Sequence, residues 1–331
     1  MKICILTEGG KNIGFGHIAR CTSIYQAFQE SGTVPEFIVN GDETVQDLLR
    51  DKNCKVFDWL NDQKMLFAAV KDADIVFIDS YLADYDLYEK ISNLVKTAVY
   101  FDDDIRIKYP KGFVLNGAVF AEQMPYPKRT DVTYLLGAQY TSLRKEFWDV
   151  PAKSIRDNIE TVMITFGGMD IHNLTPKVLK LLVDIRPELL KKVIIAKGFG
   201  NIAEIEELKD NNTELIYYPG PAEMREVMLE SDIVISAGGQ TIYELARVGV
   251  PTIAVAVADN QVHNIRGWEK VGFIEYAGVW GSSSLFKEIE RIMQKMENQA
   301  LRKERMQKVM SLIDGKGCLR VVSFLLAKVK K

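Results

Sequence analysis

The residues with the clearest chemical potential stand in one short run, Gly14-Phe15-Gly16-His17-Ile18-Ala19-Arg20. It follows an apolar stretch, Ile3 to Leu6, and leads into apolar residues at helical spacing: Ile18, Cys21, Ile24, Tyr25 and Phe28. That order predicts a strand, a glycine loop and a helix. Glycine has no Cβ, so backbone in such a loop can approach a ligand closely. His17 falls in the first helical turn, where the positive end of the helix dipole disfavours a cation. The expectation is a neutral imidazole at pH 7, able to accept a proton as a general base. A capping or merely exposed histidine is the plain alternative. With only three histidines in the chain (His17, His172 and His263), one inside a glycine loop stands out. No Gly-Lys-Ser/Thr follows the loop and a third spaced glycine is missing, so it is neither a Walker A loop nor a good dinucleotide fingerprint.

Further stretches carry polar side chains where strands should end. Asp79-Ser80-Tyr81 closes a buried strand, and Tyr81 could position a sugar or a water, or be an ordinary strand-end aromatic. Thr165-Phe166-Gly167-Gly168-Met169-Asp170 precedes a helix that begins at Asn173-Leu174. Free amides at such a helix start bind anionic oxygens. Ser236-Ala237-Gly238-Gly239-Gln240-Thr241 makes a second such turn, and Glu244 follows one turn into the next helix. A carboxylate there can accept hydrogen bonds from two neighbouring hydroxyls. Asp259-Asn260-Gln261, with Asn264, offers amide donors and acceptors, or a helix cap. Asp102-Asp103-Asp104 looks like a metal-holding Asp-x-Asp. A capping loop is the preferred reading, because the glycine turns offer an anion site without a metal.

Around these stretches strands and helices alternate throughout. Strands are expected at 2–7, 36–39, 55–59, 74–79, 98–101, 113–116 and 133–136, with helices at 17–30, 44–50, 63–71 and 86–94. In the second half strands are expected at 161–166, 192–196, 214–217, 233–236, 252–257 and 273–276. The helices there are 174–185, 202–209, 222–230, 241–248, 261–271 and 284–296. Continuous apolar strands such as Ile75-Val76-Phe77-Ile78 fit parallel sheets buried on both faces. The predicted organisation is a first domain over 1–150, a polar linker over 149–160, a second domain over 158–297 and helices over 298–331. The last helix could pack back on the first domain or serve a partner, and core packing is the preferred reading. Two doubly wound domains of this kind would face each other across a cleft and bind ligand at strand carboxyl ends.

The 331 residues are 47% hydrophobic and 26% charged, with net charge -3, the profile of a soluble globular protein. No polybasic block favours nucleic acid, and no apolar run reaches the ~18 residues that cross a bilayer. The chain begins in a strand without a signal peptide, and its four cysteines lack metal-type spacing, so a reduced cytoplasmic protein is expected. No cofactor or metal is expected, nor stable membrane insertion, and a monomer is favoured.

In sequence the chain resembles the UDP-sugar hydrolases of pseudaminic acid biosynthesis and the related spore coat polysaccharide biosynthesis proteins. The motifs that carry the resemblance are Ile13-Gly14-Phe15-Gly16-His17-Ile18-x-Arg20, Ile78-Asp79-x-Tyr81, Phe101-Asp102-Asp103, Tyr140-x-x-Leu143-Arg144-x-Glu146-Phe147, Phe166-Gly167-Gly168-x-Asp170-x-x-Asn173-Leu174 and Asn260-Gln261. The resemblance implies a GT-B architecture of two Rossmann-like domains. It also implies hydrolysis of UDP-2,4-diacetamido-2,4,6-trideoxy-β-L-altropyranose to free sugar and UDP, by C–O cleavage with inversion and without a metal. His17 matches the catalytic histidine. Gly14, Gly16, Arg20, Tyr81, Asn260 and Gln261 fall to the substrate. Gly167, Gly168, Asp170, Asn173, Ser236, Gly238, Gly239 and Glu244 fall to the nucleotide side. The C-terminal extension is of the spore-coat type and leaves the sugar open. A GT-B glycosyltransferase with a UDP-sugar donor, and a non-catalytic nucleotide-sugar sensor, are the alternatives.

Overall fold

The computed structural model describes residues 1–11 and 13–329. The chain divides into two compact units, Met1–Lys145 with Gly315–Lys331, and Glu146–Asp314. Lys330 and Lys331, the end of the expected helical extension, lie outside the described residues.

Unit 1 contains strands β1 (Ile3–Gly9), β2 (Glu36–Gly41), β3 (Cys54–Val56), β4 (Ile75–Asp79), β5 (Ala98–Phe101), β6 (Gly112–Asn116) and β7 (Val132–Leu136). Its helices are α1 (Gly16–Glu30), α2 (Gln46–Leu49), α3 (Gln63–Val70) and α4 (Tyr85–Leu94). The strands form one sheet in the order β3-β2-β1-β4-β5-β6-β7, with every pairing parallel. β1 and β4 are buried along their whole length, which explains the apolar runs Ile3–Leu6 and Ile75–Ile78 within them. Strand order reverses between β1 and β4, which are paired Thr7 to Asp79. A crevice for ligand opens beyond the strand carboxyl ends at such a reversal.

Unit 2 repeats the plan. Its strands are β8 (Thr161–Thr165), β9 (Leu190–Ile195), β10 (Thr213–Tyr217), β11 (Ile233–Ala237), β12 (Thr252–Ala256) and β13 (Ile274–Val279). Its helices are α5 (Leu174–Ile185), α6 (Ile202–Leu208), α7 (Pro221–Glu230), α8 (Thr241–Val248), α9 (Asp259–Val271), α10 (Leu285–Met296) and α11 (Gln299–Met310). Strand order is β10-β9-β8-β11-β12-β13, again all parallel, with its reversal between β8 and β11.

Two expected boundaries move. The polar segment taken as a linker is tied into unit 2. Asp232, nearly inaccessible, accepts the amides of Glu160 and Thr161 at 2.9 Å each and the Arg156 guanidinium at 3.0 Å. A buried carboxylate with three donors is a structural anchor, not a hinge. The terminal helices also separate rather than forming one extension. α11 stays with unit 2, where the inaccessible Arg302 donates to the carbonyls of Met296 and Asp157. The last helix, α12 (Gly317–Val329), belongs to unit 1 and packs on α1. Val321, Val322 and Leu325 are buried there, each contributing about 1.5–3 kcal/mol.

Candidate functional site

Three neighbouring strands of unit 1 bring together residues far apart in sequence. Glu8 lies one residue before the end of β1, β4 ends in Asp79, and β5 is followed by Asp102 and Asp103. α1 begins immediately above, with Phe15 at its N-cap position and no side-chain cap. The loop before it is a tight turn in which Gly10 and Gly14 exchange both backbone hydrogen bonds, at 3.1 and 2.8 Å. Gly14 has φ +83°, a left-handed conformation that favours glycine. Space beside Gly14 and Gly16 is open, so neither is a glycine for reasons of packing.

His17 Nδ1 lies 2.6 Å from Asp79 Oδ1. Arg20, one turn along α1, donates to the same carboxylate through Nε and Nη2, both at 2.7 Å. Its Nη1 reaches Asp103 Oδ1 at 2.7 Å and Oδ2 at 2.9 Å. The Tyr81 hydroxyl donates to Asp103 Oδ2 at 2.6 Å, and its ring stands edge-on to His17, with centroids 4.7 Å apart. The inaccessible Glu8 fixes the turn that carries Tyr81. Its carboxylate accepts the Tyr81 amide at 2.7 Å and the Ser80 hydroxyl, and Ser80 in turn holds the amides of Leu82 and Ala83.

The electrostatics set a carboxylate against the helix dipole. Burial disfavours the His17 cation, but the Asp79 charge and its hydrogen bond outweigh both burial and Arg20, so the pKa rises above the usual histidine value. Burial alone would raise Asp79, yet Arg20 and His17 hold it far below the carboxylate range. An ionised Asp79 accepts the Nδ1 proton and leaves the Nε2 lone pair available. Nε2 has no partner among the described residues, so the ring can take a proton from a ligand.

Two substrate assignments change character. Arg20 spends four hydrogen bonds on two carboxylates, which makes it a positioning residue for Asp79 and Asp103. Tyr81 has committed its proton to Asp103; its ring, 40% exposed, is what remains for a ligand. The aspartate run is also spent. Asp102 accepts the amides of Ile105 and Arg106 and the hydroxyls of Tyr109 and Tyr126. No group of three or more His, Cys, Asp or Glu side chains among the described residues is arranged to hold a metal ion.

In unit 2 the glycine turns and the Asn-Gln pair meet at the carboxyl edge of β8, β11 and β12. Gly167, at φ +78°, and Gly168 are exposed. Asp170 is occupied as the cap of α5, accepting the amides of Leu174 at 2.8 Å and Thr175 at 2.9 Å. Asn173, itself left-handed, donates to Glu204, and Asn201 bridges it to Asp170. Ser236 is buried, its hydroxyl turned to the Ala237 carbonyl. Gly238 is a glycine for packing: a Cβ there would meet Ile265 Cδ1 at 2.4 Å. Gly239 has open space but for Gln261 Nε2 at 3.8 Å. Gln261 Oε1 accepts the amides of Gly238 and Val257 at 3.1 Å each, joining the two loops, and so positions backbone. Asn264 holds the Gly238 carbonyl at 2.8 Å. Asn260 is exposed in the first turn of α9 and makes no hydrogen bond among the described residues; the N-cap is Ala258, so the capping alternative falls away. Glu244 is only 5% exposed, in the first turn of α8, whose start also lacks a side-chain cap.

Sequence reasoning missed Glu8, Asp79 and Asp103 as members of the cluster. Their one signal was a carboxylate at the end of each of three apolar strands. It also passed over His172, which lies flat on Trp280 with centroids 3.7 Å apart and bonds the Val257 carbonyl at 2.9 Å.

Residues 161–315 match the model of the glycosyltransferase family 28 C-terminal domain. The chain is 24% identical over 304 residues to the Helicobacter pylori pseudaminic acid cytidylyltransferase and UDP-2,4-diacetamido-2,4,6-trideoxy-beta-L-altropyranose hydrolase, covering 91% of this chain and 52% of that protein. An uncharacterised Methanocaldococcus jannaschii protein is 26% identical over 270 residues, 77% of this chain and 55% of its own length. The chain thus spans about half the length of these two relatives. The Bacillus subtilis spore coat polysaccharide biosynthesis protein SpsG is 20% identical, with 98% of each chain covered. Among solved structures, Acinetobacter baumannii MurG superposes with a TM-score of 0.68 at 13% identity, over 99% of this chain and 100% of that one. The Neisseria meningitidis UDP-GlcNAc 2-epimerase gives 0.62 at 12%, over 99% and 100%. The fold is GT-B, and the resemblance read from the motifs stands. No helix among the described residues is long and apolar enough to cross a membrane.

Proposed function

We propose that this relative of the pseudaminic acid hydrolase and spore coat polysaccharide proteins hydrolyses a UDP-linked 2,4-diacetamido-2,4,6-trideoxy sugar at its anomeric carbon. The observation that carries the reading is the His17–Asp79 pair at the strand-order reversal of unit 1, with Nε2 unpartnered. Water attacks C1 while the bond from C1 to the diphosphate oxygen breaks. The water proton passes to His17 Nε2, and the electron pair leaves with UDP. A single displacement inverts C1. UDP is a weak base and leaves without a strong general acid; the base contributes ~10²–10⁴-fold.

The nucleotide is assigned to unit 2. Uncapped amides at the start of α8, with the open Gly239, suit a diphosphate without a metal, and Glu244 is assigned to the ribose hydroxyls. Asn260, exposed and unpartnered, is assigned to an acetamido or hydroxyl group of the sugar.

The test is incubation with UDP-diacetamido sugars in ¹⁸O-water, read by NMR and mass spectrometry. UDP release with the label on the sugar carbon and an inverted first-formed anomer is expected. Label in UDP would mean P–O cleavage and defeat the reading. The family 28 match favours one second reading, transfer of the sugar to an acceptor. It gains if UDP appears only when an acceptor is added.

A further inference from the structure

We propose that unit 1 carries an anion site distinct from the His17 cluster, centred on Arg106, for a small phosphate or carboxylate bearing a ring or other apolar part. The site is a half-open cavity of about 230 Å³ lined by Arg106, Lys108, Tyr109, Tyr126 and Tyr134. A water molecule claims ~30 Å³ of liquid, so the space admits an oxyanion and one ring, and falls below the ~300–1,000 Å³ of drug-sized sites.

The guanidinium is the reason to expect an anion. Arg106 Nη2 is buried without a hydrogen-bond partner. Nη1 donates to the Tyr81 carbonyl at a long 3.4 Å, and the group stands 5.6 Å over the Tyr88 ring. Among the described residues Arg106 forms no ion pair. A buried N–H without a partner is costly, and a guanidinium takes phosphate or carboxylate as its counter-charge.

Of the neighbouring carboxylates, two are engaged elsewhere, and the third, Asp104, feels the Arg106 charge from an exposed position. Asp102 accepts the hydroxyls of Tyr109 and Tyr126 and two backbone amides, and Asp103 is held by Arg20 and Tyr81. Asp104 is exposed to solvent. Because Tyr109 and Tyr126 give their protons to Asp102, their rings line the cavity, and Tyr126 packs on Tyr134 at 5.0 Å. Tyrosine rings and two cations in one lining select a ligand with an apolar body and an anionic head.

The test titrates the full chain, held in saturating UDP, with phenyl phosphate, benzoate and inorganic phosphate by calorimetry. Phenyl phosphate or benzoate is expected to bind, and to bind more tightly than inorganic phosphate. Arg106→Leu should weaken binding by ~10-fold or more, and Arg106→Lys, which keeps the charge and loses the guanidinium, by less. Tyr134→Leu, which spares both cations, should erode the preference for a ring-bearing probe and covers the case in which Arg106→Leu misfolds. Binding that is equal in all variants, lost when UDP is added, or absent for all three probes overturns the proposal.

Discussion

His17 Nδ1 and Asp79 Oδ1 are 2.6 Å apart, and that one hydrogen bond fixes both the tautomer and the basicity of the imidazole. Asp79 in turn is shared with Arg20, so His17 and its orienting carboxylate sit under the control of a third charge. The cluster therefore makes predictions of opposite sign for its two charged partners.

Replacing His17 by alanine should lower turnover by ~10²–10⁴-fold while UDP affinity stays near wild type. Steady-state kinetics beside calorimetry checks both halves. Wild-type turnover in this variant refutes the assignment.

A base works deprotonated. With the His17 pKa raised, kcat/KM should climb with pH through a value above the ordinary ~6.5 of histidine. Asp79→Asn removes the charge that raises it, so the acid limb should move to lower pH. The plateau should also fall by ~10²–10⁴-fold, because the imidazolium loses its counter-charge. A limb that stays at the same pH in both proteins argues that Asp79 does not tune His17.

Arg20→Met should do the reverse. Arg20 lowers the His17 pKa, so its loss moves the acid limb to higher pH. It also leaves Asp79 and Asp103 uncompensated, at a cost of about 3–5 kcal/mol in stability, readable as a drop in Tm. A pH profile moving in the Asp79→Asn direction would contradict this account.

Glu244→Ala should weaken UDP binding by ~10-fold or more, the worth of a hydrogen bond to a charged group, and spare UDP analogues lacking ribose hydroxyls. Equal affinity for UDP in both proteins counts against the ribose role.

Gly238 and Gly239 should part company. Gly238→Ala drives a methyl into Ile265 and should cost about 1–3 kcal/mol of stability, partly recovered by Ile265→Val. Gly239→Ala has room and should leave Tm unchanged while weakening UDP. Equal Tm losses in the two variants would show that the second glycine is also there for packing.

Most of the architecture was legible in the sequence, because buried parallel strands and amphipathic helices leave direct periodic signals. α5, for one, runs over 174–185, the same span that the spacing predicts. The candidate site was legible only where one stretch carried it. His17 announced itself by its loop, whereas its partner Asp79 lies 62 residues away and becomes a neighbour through the β1-β4 pairing, which periodicity does not encode. The upward shift of the imidazole was not legible for the same reason: a helix dipole is local and visible, and a carboxylate on the next strand is not. Gly238 was misread because a glycine that admits a ligand and one that admits a neighbouring helix look identical in one dimension. The helical tail was split for lack of any signal telling which unit would receive each helix.

The return of α12 to unit 1 has a consequence for how the protein is made. Its rings and aliphatics meet the body of that unit, with Phe324 against Phe113 and Gly317 tight against Thr141, and it packs on the very helix that opens with His17. During synthesis residues 1–145 emerge first but lack one wall until α12 has been made and has folded back. Unit 2, encoded without interruption, is complete sooner. The unit that carries His17 is thus completed only after unit 2 has been made, and deleting α12 would remove support from α1 rather than from its sequence neighbours.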